Sequence, residues 1–301
     1  MRGMAPAREV PVFINRSSGG ASRGKRETAE IRKAFAKAGL KVRAVLLDGG
    51  EVARRAQEAV DRGDPLLIVG GGDGTISAAA GVLAGTRTKL GILPLGTLNH
   101  FARDLGVPVT IEEAAALIAT GKARAVDIAE VNGRVFINNS AVGLYPLMVL
   151  DRDLQQQRLG RSKRLAMIVA SIRTLLRFGH YRLALTVNDR QSRIDTPLLF
   201  VGNNDYRLDL GAPGRRESLD DGRLSVFVMR KKTRRGFVAA SIRALFDRSR
   251  PDDMVRIEDV ERLLVASRRS NLVVSLDGEV QSLAPPLDYR VRKRALEVIA
   301  P

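Results

Sequence analysis

Short apolar segments alternate with helical segments over about the first 120 residues, and this alternation limits the fold more than any other feature. Strands are predicted at 10–15, 41–47, 66–69 and 90–93. Helices are predicted at 26–38, 52–62, 76–83, 99–105 and 111–120. Strands that alternate with helices form a parallel sheet with right-handed crossovers. Such sheets bind ligands at the carboxyl ends of their strands, so we expect the functional residues in the loops that follow the strands.

The pattern changes near residue 125. Asn132-Gly133 separates the apolar segments 126–131 and 134–138, which is the signature of a hairpin with a tight turn. Further strands are predicted at 181–187, 193–201, 224–229 and 272–276. We therefore expect an α/β domain over 1–125, a mostly antiparallel β domain over 126–289, and a tail, 290–301, that returns to the first domain.

The composition excludes several kinds of site. The 301 residues include no cysteine and two histidines, His100 and His180. The chain therefore lacks a disulfide framework, a thiol nucleophile, thiolate zinc sites and iron–sulfur ligation. The absence of cysteine suits a reducing cytoplasm. A run of about 20 apolar residues and the apolar core of a signal peptide are both missing, so we expect a cytoplasmic protein.

The net charge of +17 predicts an anionic partner, such as an anionic membrane, a phosphorylated ligand or nucleic acid. Aromatic residues make up 4% of the chain and tryptophan is absent, which argues against a surface for stacking bases. The alternative is a GC-rich genome that encodes arginine wherever a cation is tolerated. Both explanations stay open at this point.

The glycine-rich turn after the third predicted strand is the most informative segment. Residues 66–75 read Leu-Leu-Ile-Val-Gly-Gly-Gly-Asp-Gly-Thr, and a helix is predicted to begin at 75–76. Glycines let a phosphate approach the backbone, and the N-terminus of a helix attracts it. A carboxylate beside bound phosphates, here Asp73, needs a cation between them, most simply Mg²⁺. The structural alternative is an ordinary turn with Asp73 as the helix N-cap.

These residues resemble a known nucleotide loop. Gly71-Gly-Asp-Gly-Thr75 is similar to the loop shared by diacylglycerol and sphingosine kinases, NAD kinases and phosphofructokinases. Three further segments resemble the lipid kinases in particular: Asn-Arg-Ser-Ser-Gly at 15–19, Leu-Pro-Leu-Gly-Thr-Leu-Asn-His-Phe-Ala-Arg at 93–103 and Leu-Asp-Gly-Glu at 276–279. The resemblance runs from about residue 10 to the end. It implies a small bacterial lipid kinase with a Rossmann-like α/β domain, similar to NAD kinase and phosphofructokinase, and a β-sandwich domain.

The resemblance also implies roles for individual residues. ATP would be bound by Asn15, Arg16, Ser17, Ser18, Gly19, Gly71, Gly72, Asp73, Gly74, Thr75, Ile76, Ser77 and Thr97. Asp277 or Glu279 would take the proton from the acceptor hydroxyl, with Asp73 completing the catalytic set. Asp127 would join a metal–water network, and a second Mg²⁺ would be bound by the Asp221 side chain and the carbonyls of Ser218 and Arg223. The residues alone leave Asp277-Gly278 open as a plain hairpin turn.

Four positions depart from the family pattern. Arg16 replaces a proline, His100 replaces an aspartate, and Ser77 stands where asparagine is common. The loop at 46–49 lacks a threonine that contacts the nucleotide in the family. The glycine loop and the Asp-Gly-Glu segment are unaffected, so the departures concern substrate and rate more than fold.

Two basic segments precede apolar helical faces. Residues 158–164 precede the helical segment 165–178, and residues 231–235 precede a segment that extends to 248. A basic flank beside an apolar face suits an anionic membrane, although the same faces could pack on the β domain. We therefore expect an ATP- and Mg²⁺-dependent lipid kinase, most simply of diacylglycerol, at the inner face of the membrane, without a specific nucleic acid partner. The alternatives are an NAD kinase and a non-catalytic binding module, and a homodimer stays open.

Overall fold

The protein divides into two compact units. A computed structural model describes residues 9–17, 24–144, 146, 179–206, 216, 218–230, 233–245 and 253–301. Unit 1 comprises Met1–Ile128 and Lys293–Pro301, and unit 2 comprises Ala129–Arg292. Each unit is described by itself below.

Unit 1 is a parallel sheet flanked by helices. Its strands are β1 (Val10–Asn15), β2 (Val42–Leu47), β3 (Leu66–Gly71) and β4 (Lys89–Pro94), and its helices are α1 (Gly24–Lys37), α2 (Val52–Asp61), α3 (Asp73–Leu83), α4 (His100–Asp104) and α5 (Ile111–Thr120). The order β2-β1-β3-β4 is parallel throughout. The last strand of the chain, β16 (Leu287–Ala300), pairs with β4 through Val298 and Leu90. The predicted α/β class is confirmed.

The core of this unit follows from the apolar strand segments. Leu67, Ile68 and Val69 of β3 are fully buried, as are Ala79 and Ala80 of α3. A strand that is buried on both faces reads as a continuous apolar run, which is why β3 could be recognised from the sequence.

One boundary in unit 1 differs from the prediction. The sheet continues through the first two glycines, since Gly70 and Gly71 pair with Leu93 and Pro94 of β4. Helix α3 begins at Asp73 rather than at 75–76, with Gly72 as its extended N-cap. The connection between strand and helix is therefore a single residue, which brings the first turn of α3 directly to the end of β3.

Unit 2 is an antiparallel β-sandwich. One sheet has the order β12-β11-β10-β7-β14-β15, formed by β7 (Asn139–Gly143), β10 (Leu198–Asn203), β11 (Leu224–Met229), β12 (Met254–Val260), β14 (Leu272–Leu276) and β15 (Glu279–Leu283). The other contains β8 (Tyr181–Val187), β9 (Arg190–Thr196), β13 (Arg262–Ser267) and the first part of β16. A hairpin joins β5 (Lys122–Val131) to β6 (Arg134–Phe136). Apolar side chains from both sheets form one core.

The predicted strand at 193–201 was wrong, because the structure contains two strands there. β9 ends at Thr196 and β10 begins at Leu198, and the two belong to different sheets. Pro197 lies between them and has no N–H to donate to a ladder. The hydroxyl of Thr196 donates to the carbonyl of Met229 at 2.8 Å and stabilises the corner at which the chain changes sheets.

The sequence analysis missed β7, β12, β13 and β15. β12 is an edge strand with exposed charged residues, including Arg256 and Glu258, so it lacks a strong apolar pattern. The helix predicted from residue 235 is α6, described over Arg234–Leu245. The basic segment at 158–178 lies outside the described residues.

Asp288 anchors the start of β16 and carries a prediction about stability. It accepts hydrogen bonds from Arg262 at 2.9 Å and from Arg290, which hold the pKa of this carboxyl down at about 2. A lowered pKa stabilises the fold above the unfolded value of 3.8, and this contribution is lost as the pH falls through 2. We expect Asp288→Asn to lower the free energy of unfolding at pH 7 by about 1–2 kcal/mol.

Urea denaturation at pH 7 and near pH 2 measures this difference. Asp259→Asn is the control, because the Arg223–Asp259 pair is mostly exposed and should contribute little. An equal loss of stability for Asp288→Asn at both pH values would contradict the electrostatic explanation.

Candidate active site

Asn15 joins the ends of two neighbouring strands in unit 1. It is the last residue of β1, and its Nδ2 donates to the hydroxyl of Thr75 in the first turn of α3 at 2.7 Å. Its Oδ1 accepts from the N–H and hydroxyl of Ser17, at 3.1 and 2.9 Å. Two predicted loops thus meet at one amide side chain, and hydroxyl and N–H groups gather at the carboxyl edge of the sheet.

The glycine turn and the loop after β4 lie unusually close together. A Cβ atom placed on Gly96 would lie 2.4 Å from the Cα of Gly72 and 2.7 Å from Oδ1 of Asn99, so only glycine fits there. Asn99 fixes this loop, since its Oδ1 accepts from the N–H of Gly96 at 3.0 Å and its Nδ2 donates to the carbonyls of Gly96 and Pro94. Its φ of 51° lies in the left-handed region that asparagine tolerates better than most residues.

Asp73 is the first residue of α3 and lies beside α4. Its Oδ1 accepts from the N–H of Phe101 at 3.3 Å. The side chain is partly exposed. The N-terminus of α3 presents free N–H groups at this edge, which is the arrangement that binds phosphate at the start of a helix.

The other predicted nucleotide residues differ in their exposure to solvent. Thr97 is exposed in the loop after β4, whereas the Ile76 side chain is buried in the core and its N–H donates to the carbonyl of Gly72 at 3.1 Å. Arg16 is exposed and lies 3.6 Å from Asp48, the residue after β2. Ser18 and Gly19 lie outside the described residues.

In unit 2, Asp277 occupies a two-residue turn between β14 and β15. Asp277 and Gly278 have φ values of 47° and 89°, as in the hairpin turns that favour Asp-Gly. The carboxylate accepts three backbone hydrogen bonds: from Ile137 and Asn138 at 2.8 Å and from Asn139 at 2.9 Å. The N–H of Asp277 donates to the carbonyl of Asn139 at 2.9 Å. The side chain therefore ties the turn to residues 137–139, and both carboxylate oxygens are already engaged as hydrogen-bond acceptors.

Glu279 begins β15 two residues later and has a different environment. It is exposed to solvent. Partial burial by the surrounding atoms, and then the negative charge of Asp277, raise the pKa of its carboxyl. A raised pKa makes a carboxylate a better proton acceptor near neutral pH. The two acids of the turn thus divide into an anchored carboxylate and an available one.

The predicted Mg²⁺ loop lines a cavity of about 620 Å³ in unit 2. Asp221, Ser218 and Arg223 all contribute to its wall. Asn204 lies there too, and among the described residues both polar atoms of its carboxamide are buried without a hydrogen-bond partner. Mg²⁺ prefers oxygen ligands, and the Asp221 carboxylate and the Asn204 carboxamide are donors of that type in the wall of this cavity. Within the described part of the chain no three acidic or histidine side chains converge to hold a metal.

Asp127 lies in β5 and is 1% exposed. Its Oδ1 accepts from the N–H of Arg294 in β16 at 2.7 Å, so the carboxylate contributes to the strand contact within unit 1. The role predicted for it in a metal–water network stays a prediction.

Comparison with known families identifies the chain. The model of the diacylglycerol kinase catalytic domain matches residues 9–131, and that of the YegS C-terminal NAD kinase beta sandwich-like domain matches residues 150–300, half of the chain. The chain belongs to the diacylglycerol kinase–YegS family. The resemblance read from the motifs is thereby confirmed.

Two relatives show how far the likeness extends. A protein of Enterobacter sp. (strain 638), named as a lipid kinase of YegS-like type, is 46% identical over 103 residues, which is 33% of this chain and 34% of the relative. The diacylglycerol kinase of Bacillus subtilis (strain 168) is 28% identical over 87% of this chain and 86% of the relative. The match with the YegS-like relative thus spans about a third of that protein's length.

Solved structures support the fold of the diacylglycerol kinase–YegS family. A diacylglycerol kinase from Bacillus anthracis str. Sterne superposes with a TM-score of 0.71 at 23% identity, covering 99% of this chain and 98% of the other. Yeast NADH kinase, solved with NADH, gives a TM-score of 0.56 at 12% identity, covering 98% of this chain and 84% of the other. At these identities the likeness concerns the fold alone.

Sequence reasoning missed two residues of interest, one in each unit. Asn99 belongs to the segment at 93–103, but its side-chain hydrogen bonds to Pro94 and Gly96 were not predicted. An asparagine near a glycine is a signal for a left-handed turn. Asn204 gave no signal, because the environment of a buried amide is set by distant strands. Among the described residues, no helix combines the length and apolar character needed to cross a membrane.

Proposed function

We propose that this member of the diacylglycerol kinase–YegS family transfers the γ-phosphoryl group of ATP to a lipid hydroxyl, with diacylglycerol as the first acceptor to test. The observation that carries the proposal is the divided pair of acids at the β14–β15 turn. Asp277 is engaged by three N–H groups, while Glu279 is accessible and has a raised pKa.

Glu279 is the proposed general base. Its carboxylate accepts the proton of the lipid hydroxyl while the hydroxyl oxygen forms a bond to the γ-phosphorus, and the bond from that phosphorus to the β–γ bridging oxygen breaks. ADP leaves with the bridging oxygen, and the lipid carries the phosphoryl group. Phosphoryl transfer of this kind depends mainly on positioning and on stabilising charge.

Residues of unit 1 would bind the nucleotide. The N–H groups at the start of α3 would face the phosphates, and Asn15, Thr75 and Thr97 would supply polar contacts around them. Mg²⁺ bound near Asp73 would offset the charge of the triphosphate. Asp221, with the carbonyls of Ser218 and Arg223 and the carboxamide of Asn204, would hold a second Mg²⁺.

An anionic membrane surface is the proposed place of action. The net charge of +17 supports attraction to anionic lipids, and a lipid acceptor must be reached at a membrane. A homodimer and a specific nucleic acid partner have no supporting observation among the described contacts.

The NAD kinase alternative is favoured by one observation, the fold shared with yeast NADH kinase. The segment at 93–103 argues for the lipid kinases, because it matches their motif. A non-catalytic module would bind anionic lipid without turnover. Replacing Glu279 would leave that binding unchanged.

Transfer of labelled γ-phosphate from ATP to micellar lipids tests the proposal. The panel contains diacylglycerol, a sphingoid base, ceramide, phosphatidylglycerol and NAD, each with Mg²⁺. We expect a labelled lipid that disappears with Glu279→Gln. Labelled NAD would show that the protein is an NAD kinase. Salt-sensitive lipid binding without any labelled product would support the non-catalytic binding module.

Gly96→Ala tests the nucleotide site separately. The added methyl would collide with the backbone of Gly72, so the two loops must separate. We expect the KM for ATP to rise about 10-fold or more, because a displacement of this size costs one to two orders of magnitude at a site of fixed geometry. Steady-state kinetics with ATP varied at saturating lipid measures this change.

Gly50→Ala is the matched control, since a Cβ at that position meets nothing within 4 Å. It should leave the KM for ATP unchanged. A Gly96→Ala enzyme with a normal KM for ATP would show that these two loops do not form the nucleotide site.

A further inference from the structure

A buried arginine lies behind the segment that holds Asp277. Arg216 is 4% exposed. Its guanidinium donates to the carbonyl of Ile137 at 2.6 Å and to Oδ1 of Asn138 at 2.9 Å. A buried charge is costly unless hydrogen bonds compensate it, so this guanidinium is held in one orientation by its acceptors.

One peptide unit connects Arg216 to Asp277. The carbonyl of Ile137 and the N–H of Asn138 belong to the same amide. That carbonyl accepts from Arg216 and, at 3.1 Å, from Nδ2 of Asn203, while the N–H donates to Oδ1 of Asp277 at 2.8 Å. A cationic donor on the oxygen of an amide polarises it and strengthens the N–H as a donor. The positive charge of Arg216 therefore acts on the Asp277 carboxylate through a single amide.

The same segment is fixed on its other side. Asn139 donates through its N–H to Asp277 at 2.9 Å and through Nδ2 to the hydroxyl of Tyr206 at 3.1 Å. The backbone of Tyr206 in turn forms a β-bridge with Arg216. The N–H of Asn203 donates to the carbonyl of Asn138 at 2.9 Å. Arg216 is therefore the charged centre of a buried network that surrounds residues 137–139.

We propose that Arg216 is a positioning residue for the turn that presents Glu279. The proposal rests on the proposed function, in which Glu279 is the base. Arg216 fixes residues 137–139, these fix the Asp277 carboxylate, and the tight turn then fixes Glu279 two residues later. The hydrogen bonds described for Arg216 go to residues 137 and 138, so in this proposal it acts through Asp277.

Two substitutions at this position separate charge from shape. Arg216→Gln removes the charge and keeps an amide donor, whereas Arg216→Lys keeps the charge but replaces the guanidinium fork by a single ammonium nitrogen. Val265→Ala is the stability control, because Val265 is fully buried in β13 and its truncation should destabilise unit 2 without touching the network.

Two measurements apply to all three variants. The first is kcat for lipid phosphorylation and the KM for ATP. The second is hydrogen exchange at the amides of residues 137–139, followed by mass spectrometry. For Arg216→Gln we expect kcat to fall about 10- to 100-fold with the KM for ATP unchanged, together with faster exchange at these amides. Arg216→Lys should recover most of the lost kcat.

The outcomes distinguish failure of the positioning role from failure of the proposed function. An active wild-type enzyme whose Arg216→Gln variant loses no more kcat than Val265→Ala would overturn the positioning role alone. Unchanged exchange at 137–139 would also overturn it. A folded wild-type protein that labels no lipid would overturn the proposed function together with this inference. If Arg216→Gln fails to fold, Arg216→Lys decides, because the positioning role requires it to be active with protected amides.

Discussion

Replacing Glu279 by glutamine is expected to lower kcat for lipid phosphorylation by about 10²- to 10⁴-fold, the usual contribution of a general base. The KM for lipid and for ATP should change little, because a base acts in the transition state rather than in binding. The fold should survive. Glutamine is nearly isosteric. It also removes a charge that partial burial and the repulsion from Asp277 both disfavour, the two causes that raise the pKa of Glu279.

The pH dependence of kcat gives an independent reading of the same residue. Glu279 must be ionised to accept a proton, so activity should rise with pH through its pKa. Because that pKa is raised, the acidic limb of the kcat profile should lie above the ordinary value of 4.5 for glutamate.

The contribution of Glu279 to the stability of the fold changes with pH in the opposite direction. A carboxyl with a raised pKa stabilises the fold while protonated, and this contribution is lost as the pH rises through the folded pKa, so Glu279→Gln should be as stable as wild type or slightly more so at pH 7.

Asp277→Asn should behave differently, which makes it a useful comparison. An asparagine amide offers one acceptor oxygen where the carboxylate offers two, and its NH₂ would face the N–H of a backbone donor. Leaving buried donors without an acceptor costs about 1–3 kcal/mol of stability, so this variant should lose stability as well as activity. Glu261→Gln, at an exposed acid of the same unit, is the neutral control.

A Glu279→Gln enzyme that keeps more than a tenth of wild-type kcat would exclude Glu279 as the base.

The parts of the fold that the sequence predicted well are those with local patterns. β1 and α5 were predicted with the bounds that the structure has, because a buried parallel strand and an amphipathic helix can each be recognised within about ten residues. The strand β12 was missed because exposed charged residues, including Arg256 and Glu258, interrupt its apolar pattern. The corner at Pro197 depends on which sheet each side of it joins, and that is decided by distant strands.

The candidate site divides in the same way. The motifs around Asp73 and Glu279 could be read from the sequence, since their chemistry lies within a few neighbouring residues. The anchoring of Asp277 could not, because its donors lie at residues 137–139, far away along the chain. Arg216 gave even less signal, since its neighbour Arg215 is also an arginine and only the folded chain shows that Arg216 is buried.

Replacing Asp73 by asparagine is expected to remove most of the Mg²⁺-supported activity, with a fall in kcat of about 100-fold or more. In the proposed function the Asp73 carboxylate lies beside the triphosphate and holds the cation that offsets its charge. Loss of one such electrostatic contribution costs several kcal/mol in the transition state, which corresponds to this change in rate. The fold should be preserved, because an asparagine Oδ1 can still accept from the N–H of Phe101.

A titration with MgCl₂ at fixed ATP measures the effect. The Asp73→Asn enzyme should need more Mg²⁺ for half of its maximal rate, because the amide no longer attracts the ion by charge. Asp61→Asn is the matched control, since Asp61 is exposed at the end of α2 and hydrogen-bonds only to Gln57 among the contacts described for it. An unchanged rate and an unchanged Mg²⁺ requirement in Asp73→Asn would mean that this carboxylate serves the start of α3 and the contact with α4, and that the cation is held elsewhere.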